Sequence, residues 1–227
     1  MKAKSLGLIV LVSLAAPTRA EWKLQWMREL PPRKAAWRFT ERMPKDTAYE
    51  PVAQGDLVLI GCMHNDVLLA LDAETGRERW RFCTNGPIRV APLADAERIY
   101  AACDDGHLYC LDHAGRCLWK VRGGPSQRKV IGHERLISAW PVGARCVLAD
   151  GKVFFAAGCW PIEGIFVHAL DARTGERIWT NDTAMLRPFG RMAISGETLY
   201  VYGHGGSVSF DAATGEARPE KPPRLQP

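Results

Sequence analysis

One short pattern recurs four times and constrains the fold more than any other feature of the chain. The copies read ALDAETGRERW from Ala70 to Trp80, CLDHAGRCLW from Cys110 to Trp119, ALDARTGERIW from Ala169 to Trp179 and SFDAATGE from Ser209 to Glu216. The aspartates fall at 72, 112, 171 and 211, so the steps are 40, 59 and 40 residues. A period near 40 with several strands per unit is the signature of an array. The turn chemistry is local. Asp72, Asp171 and Asp211 can cap the turn that follows through backbone N–H groups, and Gly76, Gly175 and Gly215 supply the left-handed residue of a short hairpin. In the second copy Ala114-Gly115 replaces the Thr-Gly step.

Each unit parses as four short strands. The first runs through Tyr49–Gln54, Leu57–Cys62, Val67–Asp72 and Arg77–Phe82, and the other three repeat that order, the fourth ending in a weak strand. β-Branched and aromatic residues fill the runs, and Gly, Asp and Asn fill the breaks. A four-stranded sheet cannot bury both faces alone, so neighbouring units must stack. Trp80, Trp119 and Trp179 close their units, and a flat ring there can fill the wedge between adjacent sheets and bond through its N–H. Twisted sheets packed around an axis make a β-propeller. The fourth unit has Pro219 where its Trp should be, while Trp37-Arg-Phe39 mimics Trp80-Arg-Phe82. Trp37 is therefore expected on an outermost strand. If four blades close on themselves, that strand latches the ring to its fourth blade.

The ends read differently. Lys2 and Lys4 precede an apolar run from Leu6 to Ala16, and small residues stand at Thr18 and Ala20. Residues 1–20 are expected to be a secretory signal peptide, and their run is too short to span a bilayer. Residues 21–36 read as an N-terminal extension, 37–218 as the repeats and 219–227 as a disordered Pro-rich tail. Losing Lys2, Lys4 and Arg19 would lower the net charge from +5 to +2, too little to argue for nucleic acid. Seven cysteines include no C-x-x-C or adjacent pair, which leaves haem attachment and common zinc spacings unsupported. Cys110 and Cys117 flank a turn; a bridge or two thiols both suit them.

The repeat Leu-Asp-Ala-x-Thr-Gly-x-x-x-Trp resembles the tryptophan-docking repeat of pyrroloquinoline-quinone (PQQ)-type β-propellers, over roughly residues 37 to 216. Asp104–Asp112 is also typical, and Gly123–Val130 and Leu136–Trp140 look like a branch of these repeats in exported planctomycete-type chains. The resemblance implies an all-β propeller of four-stranded PQQ-like blades, about four here, as a partial or small ring. Family propellers generally have seven or eight blades, so two copies, a small ring or a truncated product are all open. The repeat occurs in quinoprotein dehydrogenases and in the scaffold lipoprotein of outer-membrane β-barrel assembly.

By the usual course of such blades, the second-to-third-strand turns share a face with the links between blades. That face carries the insertion Arg122–Ala144, with Arg128, Lys129, His133, Glu134, Arg135 and Trp140, and the shorter insertion Trp160–Gly164. His64, His107 and His204 lie in its turns, and Glu50, Arg145 and Arg191 align on the innermost strands near the channel. These residues and Trp140 form the candidate ligand face, with solvated loop tips as the plainer alternative. A three-histidine metal site has no spacing to support it, and Glu50 is expected to pair with an arginine. The dehydrogenases' adjacent Cys pair is absent, and no Asp or Glu aligns with their catalytic carboxylate. No catalytic residue, metal or cofactor is therefore expected. The expectation is an exported binding or scaffolding module of the periplasm or cell envelope that meets an envelope protein or itself. Alternatives are a PQQ- and calcium-dependent oxidoreductase, or a piece of one, and an outer-membrane assembly scaffold. Trp37, Trp80, Trp119 and Trp179, with Gly76, Gly175 and Gly215, are the expected docking residues.

Overall fold

The computed structural model describes residues 7–11, 24–30, 49–132, 135–188, 191–203 and 206–219. Its regular structure is almost wholly antiparallel sheet. β1 (Gly7–Leu11) pairs with β2 (Leu24–Glu29). Blade one is β3 (Val52–Gln54), β4 (Leu57–Cys62), β5 (Val67–Asp72) and β6 (Glu78–Cys83). Blade two is β7 (Leu93–Ala94), β8 (Ile99–Ala102), β9 (His107–Leu111) and β10 (Cys117–Arg122). A separate hairpin follows, β11 (Lys129–Gly132) with β12 (Arg135–Ser138). Blade three is β13 (Val147–Ala149), β14 (Lys152–Ala157), β15 (Phe166–Asp171) and β16 (Arg177–Asn181), with a 3-10 turn at Pro161–Glu163. Blade four is β17 (Met192–Ser195), β18 (Thr198–Gly203), β19 (Gly206–Asp211) and β20 (Ala217–Arg218).

The turn chemistry is as expected. Asp72, Asp171 and Asp211 each accept two backbone N–H groups through Oδ1, and Asp112 accepts those of Ala114 and Arg116. Gly175 and Gly215 have φ of 75° and 78°, where a Cβ is costly. A register shift in blades one to three, just inside the Trp strand, re-aims the indole toward the next blade.

Trp80 lies over Gly115 and donates to His113 O at 2.8 Å, and Trp179 lies over Gly215 and donates to Ala212 O at 3.2 Å. Trp119 covers Gly175, but its Nε1 is buried without a hydrogen bond. The equivalent acceptor, Ala172 O, is taken by the Tyr100 hydroxyl at 3.1 Å.

A further docked indole stands nearer the N-terminus. Trp26 lies over Gly76 and donates to Ala73 O at 2.9 Å. Trp37 falls outside the described residues. The blade pattern thus begins on β2, within the stretch expected to be an extension. That strand precedes blade one, and blade four carries its own short outer strand. Among the described residues the sheets do not close into a ring. β1 lies in the expected leader; cleavage after Ala20 would remove it and leave β2 held through Trp26 and Arg28, which reaches Gly76 O and Glu78.

The core is three apolar sandwiches between successive blades and a fourth in which Val58, Ile60, Leu69 and Leu71 of blade one meet Trp26 and Leu30. Leu59, Leu68 and Ala70 meet Ile99, Tyr109 and Leu111; Tyr100 and Leu108 meet Val153, Phe155 and Leu170; Phe154 and Val167 meet Leu199, Val201 and Phe210. Blade four presents a different far face. Where the cross-strand pairs of blades one to three are Gly61/Leu68, Ala102/Leu108 and Ala156/Val167, it has Tyr202/Ser207. Where they have Leu59/Ala70, Tyr100/Cys110 and Phe154/Ala169, it has Tyr200/Ser209.

Candidate binding face

The insertion Arg122–Ala144 and the turn Pro161–Glu163 come together on one face, as the repeat pattern required. Arg128 pairs with Glu163 and lies 5.2 Å above the Trp140 ring, while Trp140 Nε1 donates to Glu163 O at 2.7 Å. Trp140 is buried, and its ring lies against Gly124. Its expected place in an open ligand face is corrected: it is the peg on which both insertions hang. Arg135 pairs with Asp66 and reaches Met63 O, while Ser138 N–H donates to Asp104 O at 2.9 Å. The hairpin is therefore fastened to blade one at its turn end and to blade two at its base.

The channel residues divide. Glu50 and Arg145 form an ion pair at 2.5 Å between blades one and three, and Glu50 also accepts the Ala91 N–H at 3.4 Å. Arg191 is exposed, and among the described residues it has no ion pair.

The histidines do not converge either. His64 is exposed, His204 lies outside the described residues, and His107 Nδ1 stands 3.3 Å from Asp105 Oδ1. Tyr109 donates to the other Asp105 oxygen. Burial pushes the Asp105 pKa up, but hydrogen bonds from His107 and Tyr109 outweigh it and hold the carboxylate below its usual range. Asp104 is 3% exposed and pairs with Arg89. Both acids of this turn are thus engaged within the protein.

Among the described residues no group of three or more His, Cys, Asp or Glu could hold a metal ion. All seven cysteines are free, and burial pushes the Cys62 thiol up to about 11 and those of Cys110, Cys146 and Cys159 to about 12. Such thiols are poor nucleophiles. Among the described residues no helix is long and apolar enough to cross a membrane.

Two features escaped the sequence reading. One is His168, fully buried in blade three, with Nε2 2.8 Å from Gly123 O and Nδ1 2.8 Å from Thr180 Oγ1. The other is a group of exposed aliphatics on the insertions: Ile131 at 83%, Leu136 at 62% and Ile162 at 92%. An apolar residue in an alternating strand signals a covered face, and the letters do not say which insertions leave theirs bare.

Radially ordered four-stranded sheets joined by indoles over turn glycines define a β-propeller of PQQ-like blades. The comparisons agree. A family model described as "Outer membrane protein assembly factor BamB" matches residues 22–157 and 163–222. The chain belongs to this PQQ-like β-propeller family. Similar solved structures include BamB from Moraxella catarrhalis, 23% identical with a TM-score of 0.55, over 72% of this chain and 45% of that one. Quinohemoprotein alcohol dehydrogenase from Comamonas testosteroni is 17% identical with a TM-score of 0.59, over 74% of this chain and 33% of that one. A europium-containing methanol dehydrogenase is 14% identical with a TM-score of 0.60, over 88% of this chain and 45% of that one. The chain spans less than half the length of each. No curated protein matches it.

Proposed function

We propose that this chain is an exported, non-catalytic binding module that holds a protein partner at the cell envelope. One observation carries the reading. Most charged groups described on the face are spent on each other, Arg128 on Glu163, Arg135 on Asp66, Arg89 on Asp104, and Asp105 on His107 and Tyr109, while Lys129 and Arg191 stay exposed. Pairing of this kind builds a rigid platform. A catalytic cleft instead aims free acids and bases at one point. The likeness to a structure titled BamB supports a scaffold role. The likeness to two alcohol-oxidising enzymes is the reason to test for quinone chemistry directly.

The test is reconstitution of the purified chain with PQQ and calcium, followed by dye reduction with alcohols and sugars. The proposal expects neither a shift of the quinone absorbance nor turnover. Substrate-dependent dye reduction would overturn it.

A further inference from the structure

The hairpin β11–β12 is a two-stranded sheet with no third strand among the described residues. Its register pairs Lys129 with Ser138, Val130 with Ile137, Ile131 with Leu136 and Gly132 with Arg135. Two hydrogen bonds fix which pairs are bonded. Ala139 N–H donates to Arg128 O, so the 128/139 pair is of the hydrogen-bonded kind, and Ser138 N–H turns outward to Asp104 O. Antiparallel pairs alternate. The 129/138 and 131/136 pairs are therefore the non-bonded kind, with N–H and C=O groups directed away from the hairpin.

On β12 that edge faces the body, where Ser138 meets Asp104. On β11 it faces outward, and no described strand pairs with Lys129 or Ile131 there. The side chains sort in the same way. Ile137 is 2% exposed and Val130 packs on the core, while Ile131, Leu136 and Lys129 share the opposite, solvent-facing side.

An open strand edge invites pairing, and natural proteins blunt such edges. Among the described residues nothing covers this one; it is pinned at its base by the Arg128–Glu163 pair and the Trp140 peg and at its turn end by the Arg135–Asp66 pair. A fixed edge costs less ordering on binding than a loose one.

The charges set the partner. The insertion from 122 to 144 carries Arg122, Arg128, Lys129 and Arg135 against Glu134 alone. Arg128 and Arg135 are spent inside the platform. Lys129 is exposed beside Ile131, and among the described residues it has no ion pair.

We infer that β11 is a docking edge for an extended segment of a partner protein, which adds as a strand and sets an aliphatic and an acidic side chain two residues apart, so that both fall on the face shared by Ile131 and Lys129. The partner backbone meets the outward N–H and C=O groups of Lys129 and Ile131. Its aliphatic side chains lie on Ile131 and Leu136, and its carboxylates lie at Lys129. This inference rests on the binding-module reading and names the partner chemistry for it.

The test uses the full chain and a fluorescein-labelled peptide of roughly a dozen residues repeating Val-Thr-Glu-Thr, which sets valine and glutamate on one face and is long enough to outlast the edge. Controls are the Val-Thr-Lys-Thr peptide and the Val-Thr-Glu-Thr peptide N-methylated at alternate residues. Anisotropy should show binding of the first peptide and neither control. Ile131→Ser with Leu136→Ser should weaken it by about tenfold or more, and Lys129→Glu should reverse the charge preference. Thermal unfolding of these variants should match the parent, because the changed side chains are exposed.

Equal binding of all three peptides, or binding indifferent to the variants, would overturn the inference. So would Ile131→Ser-sensitive binding to phosphatidylglycerol vesicles, or a dimer that Ile131→Ser dissociates, since a lipid or a second copy would then occupy the edge. Turnover with PQQ would remove the binding-module reading while leaving the peptide result as its own fact. Peptide failure without turnover would remove only the edge.

Discussion

Tyr100 and Trp119 compete for one carbonyl. In the other three dockings the indole N–H reaches the residue after the capping position, at Ala73, His113 or Ala212. In blade two Tyr100 stands where blades one and three have Leu59 and Phe154, and its hydroxyl takes Ala172 O. Tyr100→Phe frees that acceptor for Trp119 Nε1, which now has none. The substitution is expected to change stability by less than about 1 kcal/mol, since one hydrogen bond replaces another. Denaturant melts check this, and a loss above about 2 kcal/mol would show that Trp119 cannot take the bond over. The tryptophans were legible because each follows an Asp-cap and Gly turn at fixed spacing. Trp26 has no such turn before it. Nothing in the letters distinguishes a docked indole from a copy of its neighbours.

At the scale of the element, blade three holds a pH-sensitive joint. His168 sits between Phe155, 4.7 Å away by ring centroids, and Phe166, and links its sheet to the start of the insertion through Gly123 O. Burial pushes its pKa down to about 4, well below the usual histidine value. The folded protein therefore holds His168 neutral while the unfolded chain protonates near pH 6.5. Its contribution is complete above that pH, falls as pH drops toward 4 and changes no further below. The loss amounts to about 3 kcal/mol across that window. His168→Gln should flatten the stability profile between pH 6.5 and 4; an unchanged slope would place the titration elsewhere. Sequence could not mark this residue, because its partners are a backbone carbonyl 45 positions away and a hydroxyl on the next strand. The hairpin carries the same lesson. Val130-Ile131 and Leu136-Ile137 are adjacent apolar pairs, and only packing shows that Val130 and Ile137 turn inward and leave Ile131 and Leu136 bare.

The whole molecule is an open arc of blades joined one to the next. Each forward face is apolar until blade four, where Ser207 and Ser209 replace the Leu, Val, Ala and Cys of the earlier copies. The blade order and count follow from the 40-residue period. The open arc does not, because closure depends on curvature summed over many residues. If indoles over neighbouring turns join the blades, Trp179 and Gly215 must act as one unit across the last joint. A Cβ on Gly215 would lie 2.6 Å from the Trp179 ring. The decisive measurement is the double-mutant cycle of Trp179→Ala with Gly215→Ala. Trp179→Ala alone should cost about 3–5 kcal/mol, as for other emptied aromatic sites. In its background Gly215→Ala should cost only the left-handed backbone penalty of about 1–2 kcal/mol, less than it costs in the parent. Coupling of 1 kcal/mol or more, on the order of that seen for residues in contact, is the predicted result; losses that add within about 0.5 kcal/mol would contradict the account.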